Sequence, residues 1–162
     1  MKYKQYLEEI QNKGYHLDKH NIFRDEKGKP KCYNPVFQDL IERQQDNDKL
    51  SEREYNLYGQ MIMSLVQIVL NNAHFKFQDP DIKEECKTEA YCCILDSLVK
   101  YFDRNRGSTG YSYAFRLCYT SMIHVLERMN QRNDINQKLE EAYYDMAENC
   151  GHKVCNNIDY DN

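Results

Sequence analysis

Residues 99–115, VKYFDRNRGSTGYSYAF, contain a polar loop between two long segments with helical periodicity. Upstream, Asp79-Pro80 is typical of a helix start, because aspartate caps the first turn and proline fits the first helical position. Apolar residues then recur every three or four positions, which indicates one buried helix face. Downstream, a second long helix is predicted from about Ser112 to Asn130. The loop from Phe102 to Gly110 therefore joins two helices of one domain.

The rest of the chain divides into further helical segments. Ser51 and Glu54 form a capping-box pattern, in which each side chain accepts from the other's backbone N–H, at the start of a helix expected over about 52–77. The other expected elements are a helix over 2–13, a small hairpin in 21–33 with its tip at 26–28, a helix from Asn34 to about Gln45, an acidic helix over about 134–149 and a tail from Gly151. We expect an all-α fold in three parts: an N-terminal extension at 1–50, a compact helical domain at 51–132, and an acidic helix with a C-terminal tail at 133–162.

Composition excludes several classes of protein. The 162 residues are 41% hydrophobic and 30% charged, with 6 Gly and 3 Pro, which rules out collagen-like and wholly disordered chains. The longest apolar stretch, 61–70, is about half the length that a bilayer span needs. The first residues lack the apolar run of a signal peptide. We expect a soluble, cytoplasmic protein that does not contact a membrane.

Neither catalysis nor a cofactor is indicated. The chain has no dinucleotide-binding, phosphate-loop, serine-hydrolase or zinc-protease motif. Its seven cysteines are an odd number without an export signal, so reduced thiols are expected. Cys150, His152 and Cys155 are three potential zinc ligands, with Cys32 as a distant fourth, but the paired CxxC of structural zinc sites is missing. We expect no enzyme and no metal site, and a zinc module stays open as an alternative.

Charge is distributed unevenly along a chain whose net charge is -4. Residues 79–103 contain three lysines and seven acidic residues, and residues 133–162 contain two lysines and seven acidic residues. Between them, residues 104–132 contain five arginines and a single glutamate. A basic segment therefore lies between two acidic ones, which indicates different partners for neighbouring parts of the chain.

Aromatic residues and arginines alternate within the basic segment. The pattern comprises Arg104, Arg106, Tyr111, Tyr113, Phe115, Arg116 and Tyr119. Aromatic faces stack on unpaired bases, and arginine attracts phosphate, so this combination favours single-stranded or opened DNA. The chain has 14 tyrosines, and we expect about half of the rings in this set to pack in the core instead.

Order and spacing give the segment a family resemblance. Val99 to Gly107, then Tyr111 to Phe115 and an aliphatic helix to Leu126, resemble region two of bacterial sigma factors. There, an acidic helix, a Phe-Asp turn and a Tyr-Ala helix start precede the helix that reads the −10 element. The similarity covers about residues 55–130 and makes 51–132 a sigma region-two-like domain.

A minimal chain of this kind, without the domain that reads the −35 element, is most similar to the late-transcription sigma factors of T-even-like tailed phages. Those share an upstream helix resembling 34–43 and a pair like Cys118-Tyr119. The chain departs from larger sigma factors at Gly110, where many have an aromatic residue. It also departs at Arg116 and Leu117, where primary sigma factors have a tryptophan pair.

The resemblance implies a non-catalytic specificity subunit of RNA polymerase in the cytoplasm of an infected bacterial cell. It implies binding of the helix at 81–100 to the clamp helices of the largest subunit of the host core polymerase, and opening of an A/T-rich −10-type promoter element. The polymerase-binding residues would be Glu84, Glu85 and Glu89. Together with the aromatic and arginine pattern, it implies that promoter DNA is bound by Phe102, Asp103, Arg104, Arg106, Tyr111, Tyr113, Arg116, Tyr119 and Arg128.

Two further possibilities follow from the same resemblance. Ile158 and Tyr160 lie in an acidic tail similar to the one by which those phage factors bind the replication sliding clamp, and a phage co-activator is a further potential partner. The alternative function is a small helical phage protein that occupies the sigma site of polymerase as an inhibitor or co-activator without reading DNA.

Overall fold

The computed structural model describes residues 2–155, with side chains described as far as Met146. It is 74% helical, which confirms the all-α fold class. The described helices are α1 (Lys2–Asn12), α2 (Asn34–Gln45), α3 (Glu52–Leu70), α4 (Ala73–Lys76), α5 (Pro80–Tyr101) and α6 (Gly110–Cys155), and the described strands are β1 (His16–Leu17) and β2 (Phe23–Arg24). The chain forms two compact units, Met1–Val125 and Leu126–Asn162.

The core of the first unit lies where α3 packs against α2 and α5. The apolar faces follow the helical period that the sequence predicts. The fully buried side chains include Phe37, Leu40, Ile41, Met61, Leu65, Ile94, Leu98 and Met122. Because α2 supplies three of them, the first fifty residues belong to the core of this unit, whereas the sequence indicated an extension.

Local signals predicted several helix ends. The capping box of Ser51 and Glu54 is present at the start of α3. Asp79 caps α5, its side chain accepting a hydrogen bond from the backbone N–H of Asp81, with Pro80 in the first turn. Tyr101, the last residue of α5, is exposed, and Phe102 directly after it is buried.

The predicted helix over 52–77 is interrupted. It ends at Leu70, and Asn72 caps the separate short helix α4 by accepting a hydrogen bond from the backbone N–H of His74. Asparagine side chains compete with the helix for backbone donors, so two consecutive asparagines, Asn71 and Asn72, break a pattern whose apolar period continues.

The N-terminal hairpin has two turns. The predicted tip is present, with the backbone N–H of Gly28 donating to the Asp25 carbonyl and a bridge between Arg24 and Pro30. The paired strands, however, are β1 and β2, joined by an earlier turn in which the Asp18 carboxylate accepts from two backbone N–H groups. This earlier pairing was not predicted because β1 is only two residues long.

Helix α6 is continuous where two helices were predicted. The sequence around residues 131–133 has no glycine or proline, so nothing stops the helix between the predicted elements. Residues 131–146 are all exposed. The acidic segment is thus helical as expected, but it is the same helix as the basic segment before it.

The described residues bear on the expectations about thiols, membrane spans and metal ligands. The five cysteines whose side chains the structure describes, among them Cys32, are free thiols. Among the described residues, no helix combines the length and the apolar content that a membrane span requires. Within the same part of the chain, no three His, Cys, Asp or Glu side chains gather as metal ligands would, while Cys150, His152 and Cys155 lie beyond the described side chains.

A buried ion pair joins α2 to the start of α3. The Arg43 guanidinium donates to Glu54 at 2.7 Å, to Asp48 at 2.6 Å and to the Tyr6 hydroxyl at 3.2 Å. Burial alone would raise the pKa of Glu54, but hydrogen bonds from Arg43 and Ser51 outweigh it and lower the pKa from 4.5 to about 2. The charged form of Glu54 therefore stabilises the fold.

This coupling predicts a specific acid sensitivity. A pKa lowered in the folded state stabilises the protein fully above 4.5, and the contribution is lost as the pH falls toward about 2. We expect Glu54→Gln to lower the free energy of unfolding at neutral pH by about 3 kcal/mol and to flatten this acid limb. Urea unfolding at a series of pH values measures both effects. Glu52→Gln, exposed in the same helical turn, is the control, and equal pH dependence of the two variants would contradict the assignment.

Candidate nucleic-acid interface

The start of α6 lies directly against α2. The backbone N–H of Gly110 donates to Gln38 Oε1 at 2.5 Å, and a Cβ at this position would lie 2.6 Å from Ile41 Cδ1. The Thr109 hydroxyl accepts from the backbone N–H of Ser112 at 3.1 Å and so caps the helix. Side chains of α2 therefore occupy the space that a side chain at position 110 would need.

The end of α5 is held by a second glutamine of α2. Gln45 Nε2 donates to the carbonyls of Val99 at 3.0 Å and Phe102 at 2.6 Å. Arg104 then forms an ion pair with Asp46 at 2.6 Å, just after α2. Arg104 is thus engaged with the protein on one side, although its side chain is partly exposed.

The loop closes with a short 3-10 turn, Arg104–Arg106. The Asp103 carboxylate caps it by accepting from the backbone N–H of Asn105 at 2.9 Å, and it lies 3.3 Å from Arg106. Gly107 follows with φ of 71°, a conformation that glycine adopts without strain. The Arg106 side chain is 83% exposed, and an exposed i,i+3 pair with aspartate holds it only weakly.

Phe102 and Tyr113 pack against each other. Their ring centroids are 5.9 Å apart, and Phe102 is only 4% exposed. Tyr113 is partly buried. Phe102 therefore has no free ring face in this conformation, and its ring supports that of Tyr113.

Three aromatic rings form a ladder along the other side of α6. Tyr111, Phe115 and Tyr119 are spaced by four residues, with ring centroids 6.3 Å and 6.5 Å apart. With Ser112 and Arg116 they line an open concavity of about 470 Å³. We call these five residues the aromatic concavity.

The ladder packs against α4 at one of its rings. The Tyr119 ring packs edge-on against Phe75 at 5.5 Å and His74 at 6.0 Å, so α4 fixes its position. Burial raises the pKa of Tyr111, and this ring accordingly stays neutral at physiological pH. Phe115 was not among the predicted DNA-binding residues, although its spacing from Tyr111 and Tyr119 is a signal that could have found it.

The predicted DNA-binding residues thus fall into two groups in the first unit. The loop group is Phe102, Asp103, Arg104, Arg106 and Tyr113, and the ladder group is Tyr111, Arg116 and Tyr119. Arg128 belongs to the second unit and is not part of either group. Ile158 and Tyr160, the predicted sliding-clamp residues, lie outside the described residues.

The predicted polymerase-binding residues lie on α5. Glu84 is exposed and pairs with Lys87 at 2.6 Å, while Glu85 and Glu89 are partly buried. The opposite side of this helix buries Cys86, Ala90, Ile94 and Leu98. The three glutamates therefore lie away from the core of the first unit.

Comparison with known proteins gives no relative: no family model, curated protein or solved structure matches this chain.

The close approach at Gly110 predicts a large effect of one methyl group. Gly110→Ala should lower the free energy of unfolding by about 1–3 kcal/mol, because the new Cβ must displace Ile41 or Gln38. Gly59→Ala is the matched control: Gly59 lies inside α3 with nothing within 4 Å of the added Cβ, so alanine should stabilise by about 0.5–1 kcal/mol. Urea unfolding of both variants measures the difference. Two changes of the same sign would argue against the packing at Gly110.

Gln45 offers a test of how the loop is held. Gln45→Ala removes two hydrogen bonds and leaves two carbonyls unpaired, so we expect a loss of about 1–3 kcal/mol in the free energy of unfolding. Hydrogen–deuterium exchange in residues 102–109 should become faster. Gln67→Ala is the control, since that amide bonds only to exposed Asn71. Unchanged exchange in the loop of Gln45→Ala would show that other contacts hold it.

Proposed function

We propose that this chain is a sigma-type specificity subunit of RNA polymerase that binds opened promoter DNA of an A/T-rich −10-type element. The observation that carries the proposal is the aromatic concavity, in which Arg116 lies beside three aromatic rings. A second support is the resemblance of residues 55–130 to sigma region two. A third is the loop before α6, which presents Arg106 with its side chain almost fully exposed.

The concavity offers the contacts that an unpaired base requires. Stacking on an aromatic ring contributes about 1–3 kcal/mol per base, and unstacking a base from the duplex costs a few kcal/mol. Two or three rings in a row can therefore offset the opening of one or two base pairs. Arg116 and Arg106 would bind the phosphates of the displaced strand, while Tyr113, supported by Phe102, would offer one more ring.

Dependence on polymerase follows from charge. The chain is negative overall, and acidic segments flank the basic one, so phosphate is attracted only locally. The outer side of α5, with Glu84, Glu85 and Glu89, would bind the basic clamp helices of the largest polymerase subunit. Binding there would supply the affinity, and the aromatic concavity would supply the selectivity for opened DNA. The acidic tail with Ile158 and Tyr160 is proposed to bind the sliding clamp.

The first experiment is run-off transcription by host core polymerase on A/T-rich late promoters, with and without the full chain. Specific initiation supports the proposal. If the chain binds polymerase but no initiation follows, with or without a co-activator, the result supports the alternative, an inhibitor that occupies the sigma site. No binding to polymerase overturns both.

Two variants separate DNA binding from polymerase binding. Phe115→Leu removes a ring but keeps an apolar side chain, and Arg106→Ala removes an exposed charge that the core does not need. We expect each to lower promoter opening about tenfold, the equivalent of about 1.4 kcal/mol, with unchanged affinity for polymerase. Permanganate reactivity of unpaired thymines measures opening.

Matched controls exist on the first turn of α3. Arg53→Ala makes the same change as Arg106→Ala, and Tyr55→Leu replaces an aromatic ring with leucine as Phe115→Leu does. Both positions are exposed and lie outside the aromatic concavity, so both variants should leave opening intact. Tyr113 is less suitable for this comparison, because its substitution would also disturb Phe102. If Phe115→Leu and Arg106→Ala open promoters as well as the controls, the DNA-binding surface is misassigned.

A further inference from the structure

The second unit presents an exposed apolar stripe on α6. Ile135, Leu139, Tyr143 and Met146 are 57%, 63%, 71% and 67% exposed. Their spacings of four, four and three residues place them on one face of the helix. We call these four residues the apolar stripe. The proposed function gives it no role.

A stripe of this kind is a typical surface for helix pairing. Single exposed apolar residues are ordinary, but an aligned row along a solvated helix is what paired helices bury. Burying a side chain of this size contributes about 1.5–3 kcal/mol, so four on each of two helices outweigh the cost of association when packed well.

The charge distribution along α6 indicates which partner covers the apolar stripe. Residues 127–133 contain Arg128 and Arg132 against one glutamate, whereas residues 140–146 contain Glu140, Glu141 and Asp145 without a basic residue. Two copies packed antiparallel bring the basic part of each against the acidic part of the other. Parallel packing would instead oppose acidic part to acidic part, which is repulsive.

We propose that the apolar stripe is the interface of an antiparallel homodimer formed by a second copy of this chain. The two-fold axis lies near residue 137, so that Ile135 of each copy packs against Leu139 of the other. Arg132 of each copy then lies opposite Ala142, within the acidic part of its partner and about one helical turn from Asp145. Such an interface is self-complementary and closes after two copies.

Sedimentation velocity of the full chain over a range of concentrations tests the interface. We expect a shift from monomer to dimer that Leu139→Glu abolishes. Gln137→Glu adds the same charge to the same exposed helix, on the side away from the apolar stripe and between the two charged parts, and it should leave the dimer intact. Circular dichroism of both variants checks that the helix content is unchanged. A monomer at every concentration, or a dimer unaffected by Leu139→Glu, would overturn the proposal.

Charge reversal tests the orientation. Arg132→Glu and Asp145→Arg should each weaken the dimer about tenfold, since two-fold symmetry makes every change count twice. Combining them restores opposite charges in an antiparallel pair and should recover the original dissociation constant. In a parallel pair each position would face its own copy, so neither single reversal would weaken the dimer. Single reversals without effect, or a combination that is not rescued, would therefore contradict the antiparallel arrangement.

Discussion

Hydrogen bonds between two glutamines of α2 and the ends of two other helices hold the candidate site together. Helix ends leave backbone groups without intrahelical partners, and these must be satisfied elsewhere when they are buried. Gln45 satisfies carbonyls at the end of α5, and Gln38 accepts from the first N–H of α6. The loop of residues 102–109 is therefore fixed at both ends by one helix. The position of the start of α6, and with it that of the aromatic concavity, therefore depends on α2.

Helix α2 can do this because it is itself anchored in the core. Phe37, Leu40 and Ile41 are fully buried, and Arg43 joins α2 to Glu54 at the start of α3. A buried ion pair of this kind is tolerated only when both charges are well hydrogen-bonded, and here the capping box of α3 supplies the additional bonds to Glu54. The N-terminal fifty residues are accordingly part of the scaffold that positions the loop and the start of α6.

Sequence patterns predicted the features that depend on neighbouring residues. The caps of α3 and α5 and the bounds of α2 follow from local chemistry, and the structure has them as expected. Features that depend on tertiary contacts were missed: nothing in the sequence near Phe102 shows that its ring is covered by Tyr113, or that Gly110 faces Ile41. For the site, the residue types and the segment were predictable, but the division into a loop group and a ladder group requires the packing against α2 and α4.

That division separates residues that shape the surface from residues that present it. Phe102, Asp103 and Arg104 are engaged in packing, capping and an ion pair, whereas Arg106 and Arg116 are exposed. Under the proposed function, the first group holds the loop in one conformation before DNA arrives, which lowers the entropy lost on binding. The exposed group is small and acidic segments flank it in the sequence, so under the same proposal its affinity for free DNA would be low. Tethering would then supply the affinity: once polymerase holds α5, a weak aromatic surface would act at a high effective concentration.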